Sequence, residues 1–419
     1  MDLRLIVLFA AGTVFGAMTN LAVYRLAWNP RPISPWMRPH PAAPARRWTD
    51  RLPIFGWLGL RREASLHGSG FWIRPLLVEF FCGLGLAGLY HWEIGLVALY
   101  PAEMPRTPNP ALPLDLSFVL HVQYAAHVAL IWLMLAASLI DVDEKIIPDT
   151  ISRPGTLVAL LLAAVWPWSL LPDVYMQPLG VWKFEFLCIT SPNDWPVWLD
   201  GAPNGRSLAI ALACWMLWCL AILPRTWYAR HGWRRALGLC WTRLVRQADT
   251  YRVLCIGVAG ALLIAGVWKY GGENWAALST ALVGMAVGGG IIWIVRIVGR
   301  AVLNQEAMGF GDVTLMSMIG AFLGWQTCLI VFFMAPFAAL VVGLLRYFLL
   351  RDKEIPYGPF LCLAALAVIL YWAPIWDWAQ GIFGQGWLVP LVMLACLAIM
   401  APLLFLLRMF FNIIHALLE

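Results

Sequence analysis

Charge is what this chain has least of. Asp, Glu, Lys and Arg make up 12% of its 419 residues, against about 25% in an ordinary soluble domain. Hydrophobic residues make up 62%, and mean hydropathy is +0.75. A chain this poor in charge cannot cover a soluble globular surface. Cysteine spacing excludes more. Nine cysteines are present but no C-x-x-C pair, so neither a disulfide framework nor a zinc cluster is supported. Cys82, Cys214, Cys219, Cys255, Cys328, Cys362 and Cys396 lie inside apolar runs, where cysteine acts as a small hydrophobe. The hydrophilic stretch 26–72 has no cysteine, and no internal repeat is visible. The net charge of +6 gives no reason to expect nucleic acid, because the basic residues follow the apolar runs.

What is present is a series of apolar stretches, each near the roughly 17–25 residues that cross a bilayer. They fall at 4–25, 73–99, 119–141, 153–172, 206–224, 252–270, 275–298, 312–333, 335–350, 357–373 and 387–411. The expected fold is an all-α polytopic transmembrane bundle of about eleven helices. The first run lacks a small-residue cleavage site and ends in Tyr24-Arg25, which reads as a retained helix. Trp residues near the expected helix ends, such as Trp28, Trp166, Trp168, Trp195, Trp198, Trp227 and Trp233, read as interfacial anchors.

Three hydrophilic segments interrupt the series. Residues 26–72 are rich in Pro and Arg and should be irregular. Residues 173–205 carry Asp173, Glu185, Asp194 and Asp200 against Lys183. Residues 225–252 carry seven Arg against Asp249, with Trp and Leu at roughly helical spacing, as in an amphipathic helix on a membrane surface. Arginine excess puts 26–72 and 225–252 in the cytoplasm, the N-terminus outside and the C-terminus inside; Arg106 dissents. Five parts follow: 1–100 with its loop, 119–172, an insertion at 173–270, 275–373 and 387–419.

Asp141 closes one apolar run, and Asp312 opens another. Carboxylates at a membrane boundary are costly to desolvate and commonly mark chemistry or transport. Taken alone, Gly-Phe-Gly-Asp is also a turn followed by a helix cap, and DVDEKIIPD is also a plain polar connector. Taken together, the expected topology brings both aspartates to the cytoplasmic boundary, where two carboxyls can share one proton and one water. Gly309 and Gly311 carry no side chains and leave room for a close backbone approach beside Asp312.

ASLIDVDEKIIPD, EAMGFGDVTLMSMIGAFLGW and IPYGPFL resemble the bacterial type IV prepilin peptidases, the GxGD-type intramembrane aspartic proteases. GTVFGAMTNLAVYRL and RLPIFGWLGLRREASLHGSGFWIRPLLVEF resemble that family's opening helix, cytoplasmic loop and second helix. The resemblance covers about half the chain. It implies Asp141 and Asp312 as the catalytic dyad, with Asp143, Asp149, Glu79, Gly309 and Gly311 in support and no metal in the reaction. It also implies a prepilin or pseudopilin precursor as partner, membrane lipid around the chain, and a bacterial inner membrane location. S-adenosylmethionine is the implied cofactor where N-methylation is retained.

Two departures stand out. The family's loop often carries two C-x-x-C pairs, and this one carries none; residues 173–270 hold about two extra spans. Helix polarity assigns the base to Asp312, at a helix start, and the acid to Asp141, at a helix end. The competing readings are a proton-coupled transporter using the same carboxylates as a relay, and an inactive assembly scaffold docking through 225–252.

Overall fold

The computed structural model describes residues 3–27, 31–104, 115–176, 182–223, 248–303, 308–350 and 356–399, with Pro402 and Met409. At 303 and 342–350 the description covers the backbone alone. The expected amphipathic helix at 225–252 lies outside these residues except for its last few, which begin a helix at Ala248.

Helices dominate: α1 (Leu3–Leu26), α2 (Ile73–Tyr90), α3 (Leu116–Glu144), α4 (Asp149–Val165), α5 (Gly205–Ala221), α6 (Ala248–Tyr270), α7 (Gly272–Leu303), α8 (Phe310–Leu323), α9 (Trp325–Leu350), α10 (Gly358–Leu370) and α11 (Trp372–Phe383). Among the described residues, five helices are long and apolar enough to cross a membrane alone, or six when the bent α10–α11 pair is one span. Shorter apolar helices, including α5, α8 and Leu388–Ile399, complete an all-α polytopic bundle.

Two boundaries differ from the sequence reading. The apolar stretch 312–333 is not one span; it breaks at Gly324, whose φ of +85° ends α8, and α9 runs on through Leu350. The stretch 357–373 bends by 95° after Leu370. The reason for the first is burial. Every residue from Asp312 to Leu323 is buried, and a helix apolar on all sides belongs in the interior. Lipid tails are as apolar as leucine, so small residues that permit close packing must hold such a helix in place. Gly284 of α7 and Gly320 of α8 meet so closely that a Cβ on either would lie 2.1 Å from the other's carbonyl oxygen. Ser152 Oγ of α4 donates to Thr314 Oγ1 of α8 at 3.0 Å, tying in a third helix.

Opposite the aspartates, 173–205 is more ordered than its composition suggests. An antiparallel hairpin pairs β1 (Pro172–Met176) with β2 (Trp182–Phe186). Trp372 and Trp376 of α11 donate to Pro172 O (2.7 Å) and Asp173 Oδ1 (2.9 Å), so the bend after α10 clamps the hairpin. Trp168, read as an interfacial anchor, is instead buried against Phe184 and Phe186.

The loop between α1 and α2 has a small core of its own, in which Tyr24, Trp57 and Leu60 are buried. Its charged node does the work a metal clip would do. Arg46 donates to Ser34 O (2.5 Å), Pro32 O (3.1 Å) and Met37 O (3.2 Å), and pairs at 3.1 Å with Glu63, which is 0% exposed. Arg62 binds Asp50, with Nη1 to Oδ1 at 3.0 Å. Burial pushes the Asp50 carboxyl up, but the Arg62 and Arg47 hydrogen bonds and the nearby guanidinium charges outweigh it and hold Asp50 below the ordinary carboxylate range. Breaking a buried pair from one side costs about 3–5 kcal/mol, because the other charge stays uncompensated. Arg46→Met should therefore open the 31–72 loop to trypsin, and Arg46→Met with Glu63→Leu should recover part of the resistance. Equal digestion of wild type and Arg46→Met would show that the node is dispensable.

Candidate active site

Asp141 lies in the last turn of α3. That helix closes on Lys145, a left-handed residue (φ +55°) whose amide donates to Asp141 O at 2.8 Å. A short turn through Ile147 and Pro148 leads into α4. Asp312 lies in the first turn of α8, where the Gly309 amide donates to its Oδ2 at 3.1 Å. The start of α10 completes the group. Its Gly358 amide donates to Asp141.

The two carboxyls interact electrostatically with each other, and both act on the Cys362 thiol one turn into α10. Asp141 is 5% exposed and Asp312 7%, so both are largely withdrawn from solvent without being sealed off. Two residues 171 positions apart are therefore brought together, one at the end of α3 and one at the start of α8.

Gly311 has a role different from the one its sequence suggests. The room beside it is taken by Ile147, not left open: a Cβ at Gly311 would lie 2.8 Å from Ile147 Cβ. Ile147 also fills the space beside Gly358, where a Cβ would meet Ile147 Cδ1 at 2.8 Å and Asp141 Oδ2 at 2.6 Å. One side chain from the α3–α4 turn thus spaces the three segments that frame the dyad.

The other acids named from sequence sit apart from the pair. Asp143 bonds Arg74 at 2.5 Å, and Arg74 also donates to Leu139 O at 3.2 Å, which joins α2 to the end of α3. Asp149 pairs with Arg153 along α4. Glu79 binds the loop: its carboxylate accepts from Ile54 N (2.6 Å), Trp57 Nε1 (2.7 Å) and Asn20 Nδ2 (3.2 Å). Ile54 has φ +64°, a strained value for a β-branched residue, so Glu79 holds a conformation the chain would otherwise leave.

Sequence reading missed Arg296, Ile147 and Gly358. Arg296 of α7 is 8% exposed, lies over the Phe310 ring at 5.9 Å and interacts electrostatically with Asp312. Its signal was a cation inside the apolar run GGGIIWIVRIVG, a position where charge is rare unless it serves a site. Gly358 was visible only as part of IPYGPFL. Nothing marked Ile147.

The sequence model of the Type IV leader peptidase family matches residues 240–344, the segment with Asp312. A "Prepilin leader peptidase/N-methyltransferase" of Aeromonas salmonicida (strain A449) is 31% identical over 109 residues, 25% of this chain and 37% of that protein. Its namesake in Burkholderia pseudomallei (strain K96243) is 28% identical over 150 residues, 34% and 47% of the two chains. That of Stutzerimonas stutzeri is 21% identical over 336 residues, 80% and 70%. The chain thus spans less than half the length of the Aeromonas and Burkholderia relatives. No solved structure matches it. The proteins this chain resembles, through the very segment that carries Asp312, are the type IV leader peptidases.

Proposed function

We propose that the chain is an intramembrane aspartic endopeptidase that removes a short basic leader from prepilin-like precursors. The observation that carries this reading is the electrostatically coupled, mostly buried pair Asp141 and Asp312. Two carboxyls that repel each other in a buried site hold one proton between them more cheaply than two charges. Each aspartate accepts one backbone amide, from Gly358 or Gly309, but Asp312 also faces the Arg296 guanidinium, so it serves as the base. It takes a proton from a water whose oxygen attacks the scissile carbonyl carbon while Asp141 protonates the carbonyl oxygen. As the gem-diol collapses, Asp312 passes its proton to the leaving nitrogen and Asp141 takes one back from a hydroxyl, releasing the new amine and resetting the pair.

The site belongs at the cytoplasmic face of a bacterial inner membrane, a placement supported by the arginines of the adjoining 31–72 loop. S-adenosylmethionine finds no acid for its ribose in either of two apolar cavities. Both the cavity among α1, α2, α3 and α10 and the one between α9 and α11 have walls without a carboxylate for a ribose. The proposal is therefore limited to proteolysis.

The test is direct. Protein in vesicles of phosphatidylethanolamine and phosphatidylglycerol should cut a precursor with a basic leader at one junction, read by mass spectrometry of the mature N-terminus. Proton flux through the vesicles with an intact precursor would establish the transporter instead.

A further inference from the structure

Residues 52–60 of the loop between α1 and α2 read LPIFGWLGL, a run whose sole polar side-chain group is the Trp57 indole, bounded by Arg51 and Arg61. Such a run is too short to cross a bilayer and suits a core or a membrane interface. The structure accounts for half of it. The short helix Phe55–Leu60 buries Gly56, Trp57 and Leu60, and Trp57 and Leu60 pack with Tyr24. On its other face Phe55 and Leu58, three residues apart, are 71% and 42% exposed, and Leu52 just before the helix is 43% exposed. A helix apolar on all sides needs cover on both faces.

Depth identifies the cover. Asn20 Nδ2 donates to Pro75 O at 2.9 Å and to Glu79 Oε1 at 3.2 Å, so the Glu79 carboxylate sits between the Pro75 and Glu79 levels of α2. Its other oxygen accepts from Ile54 N at 2.6 Å. Ile54 therefore lies on the membrane side of Arg74 near the start of α2 and of Arg25 at the end of α1. At the ~1.5 Å rise of a helix, Asn20 is about 7.5 Å deeper than Arg25. Both helices are long and apolar enough to cross a membrane, so their arginine-bearing ends mark its interface. Segments lying in an interface bury their apolar face about 5–10 Å into the boundary between headgroups and acyl chains.

We propose that residues 52–60 are embedded in the lipid leaflet beside the ends of α1 and α2, with Phe55 and Leu58 among acyl chains and Arg51 and Arg61 on the phosphates of anionic phospholipid. Both arginines are exposed, and they lie over the Trp36 and Trp72 rings at 5.6 Å and 3.8 Å. Among the described residues neither is paired with a carboxylate. Tryptophan beside an uncompensated arginine is the composition that a headgroup layer attracts. The same charges repel a basic leader, which argues for lipid over a precursor as the occupant. The loop is thereby held to the membrane as well as to Glu79.

In the full chain, in the vesicles described above, a photo-crosslinking residue replaces Phe55, or Ala42 in the exposed Pro-rich stretch between Arg38 and Arg46. Adducts are identified by mass spectrometry. The expected result is a phospholipid adduct about tenfold more abundant at position 55 than at 42, as an embedded face requires. Equal lipid capture at the two positions, or a protein adduct in place of lipid at 55, overturns the assignment. Headgroups give a second readout. In vesicles with equal amounts of the two lipids, phosphatidylglycerol should exceed phosphatidylethanolamine about threefold in the adducts at 55. Arg51→Gln combined with Arg61→Gln should return that ratio to the bulk value while lipid capture persists. A bulk ratio in the chain that keeps both arginines overturns their assignment to anionic headgroups. Neither readout involves cleavage, so both stand whether or not the chain removes leaders.

Discussion

Exchanging Asp141 or Asp312 for Asn lowers the rate of leader removal by about 10²–10⁴, the range expected when a positioned acid or base is lost. The double variant is no slower than the worse single one, because the pair acts as a unit and such losses do not add. Asn keeps the shape of the side chain, so packing around α3 and α8 is preserved. Stability should move the other way. Two largely buried carboxyls that oppose each other are expensive to keep. Each single Asn variant should therefore unfold at a temperature equal to or above that of the wild type. Asp143→Asn serves as the contrast, since Asp143 faces Arg74 and lies outside the pair; it retains most activity. The measurements are initial rates by mass spectrometry of the mature N-terminus and thermal unfolding in the same detergent. A rate within a few-fold of wild type for Asp312→Asn would remove Asp312 from the chemistry.

How far the sequence reached depended on which physical signal was local. Membrane character followed from composition, and the placing of the two aspartates followed from apolar run lengths and arginine counts. Those are one-dimensional signals. The break at Gly324 was misplaced because α8 and α9 are apolar alike, and nothing in hydropathy separates a core helix from a lipid-facing one. The hairpin at 172–186 was missed for a related reason: its clamp comes from Trp372 and Trp376, some 200 positions away. Glu79 was legible only as a supporting acid without a partner; its bonds to Asn20, Ile54 and Trp57 depend on how the loop folds back. Gly311 was recognised as a glycine that needs space, yet the occupant of that space was misjudged, since Ile147 belongs to the turn after the other aspartate. Arg296 was readable in principle. A cation inside an apolar run was the same kind of signal that exposed Asp141 and Asp312.

Gly358→Ala is the second exchange with a large expected effect, and it tests the frame around the dyad rather than the dyad. A methyl group there would lie 2.6 Å from Asp141 Oδ2 and 2.8 Å from Ile147 Cδ1, both well inside van der Waals contact. Something must move. The neighbours of Gly358 resist: its amide is bonded to Asp141, and Ile147 is already wedged against Gly311. The least constrained response is rotation of the Asp141 carboxyl away from Asp312. A displacement of about 1 Å in a reacting group can cost about 10²-fold in rate, so kcat for leader removal should fall by that order while the bundle still folds. Gly309→Ala gives the comparison. Its added methyl would meet Asp312 Oδ2 at 3.5 Å, an ordinary contact, and the rate should stay near that of wild type. Shaving the wedge closes the argument: Ile147→Ala combined with Gly358→Ala gives the start of α10 room to retreat, and activity should return in part. Full activity in Gly358→Ala alone would mean that Asp141 does not depend on the position this glycine gives it.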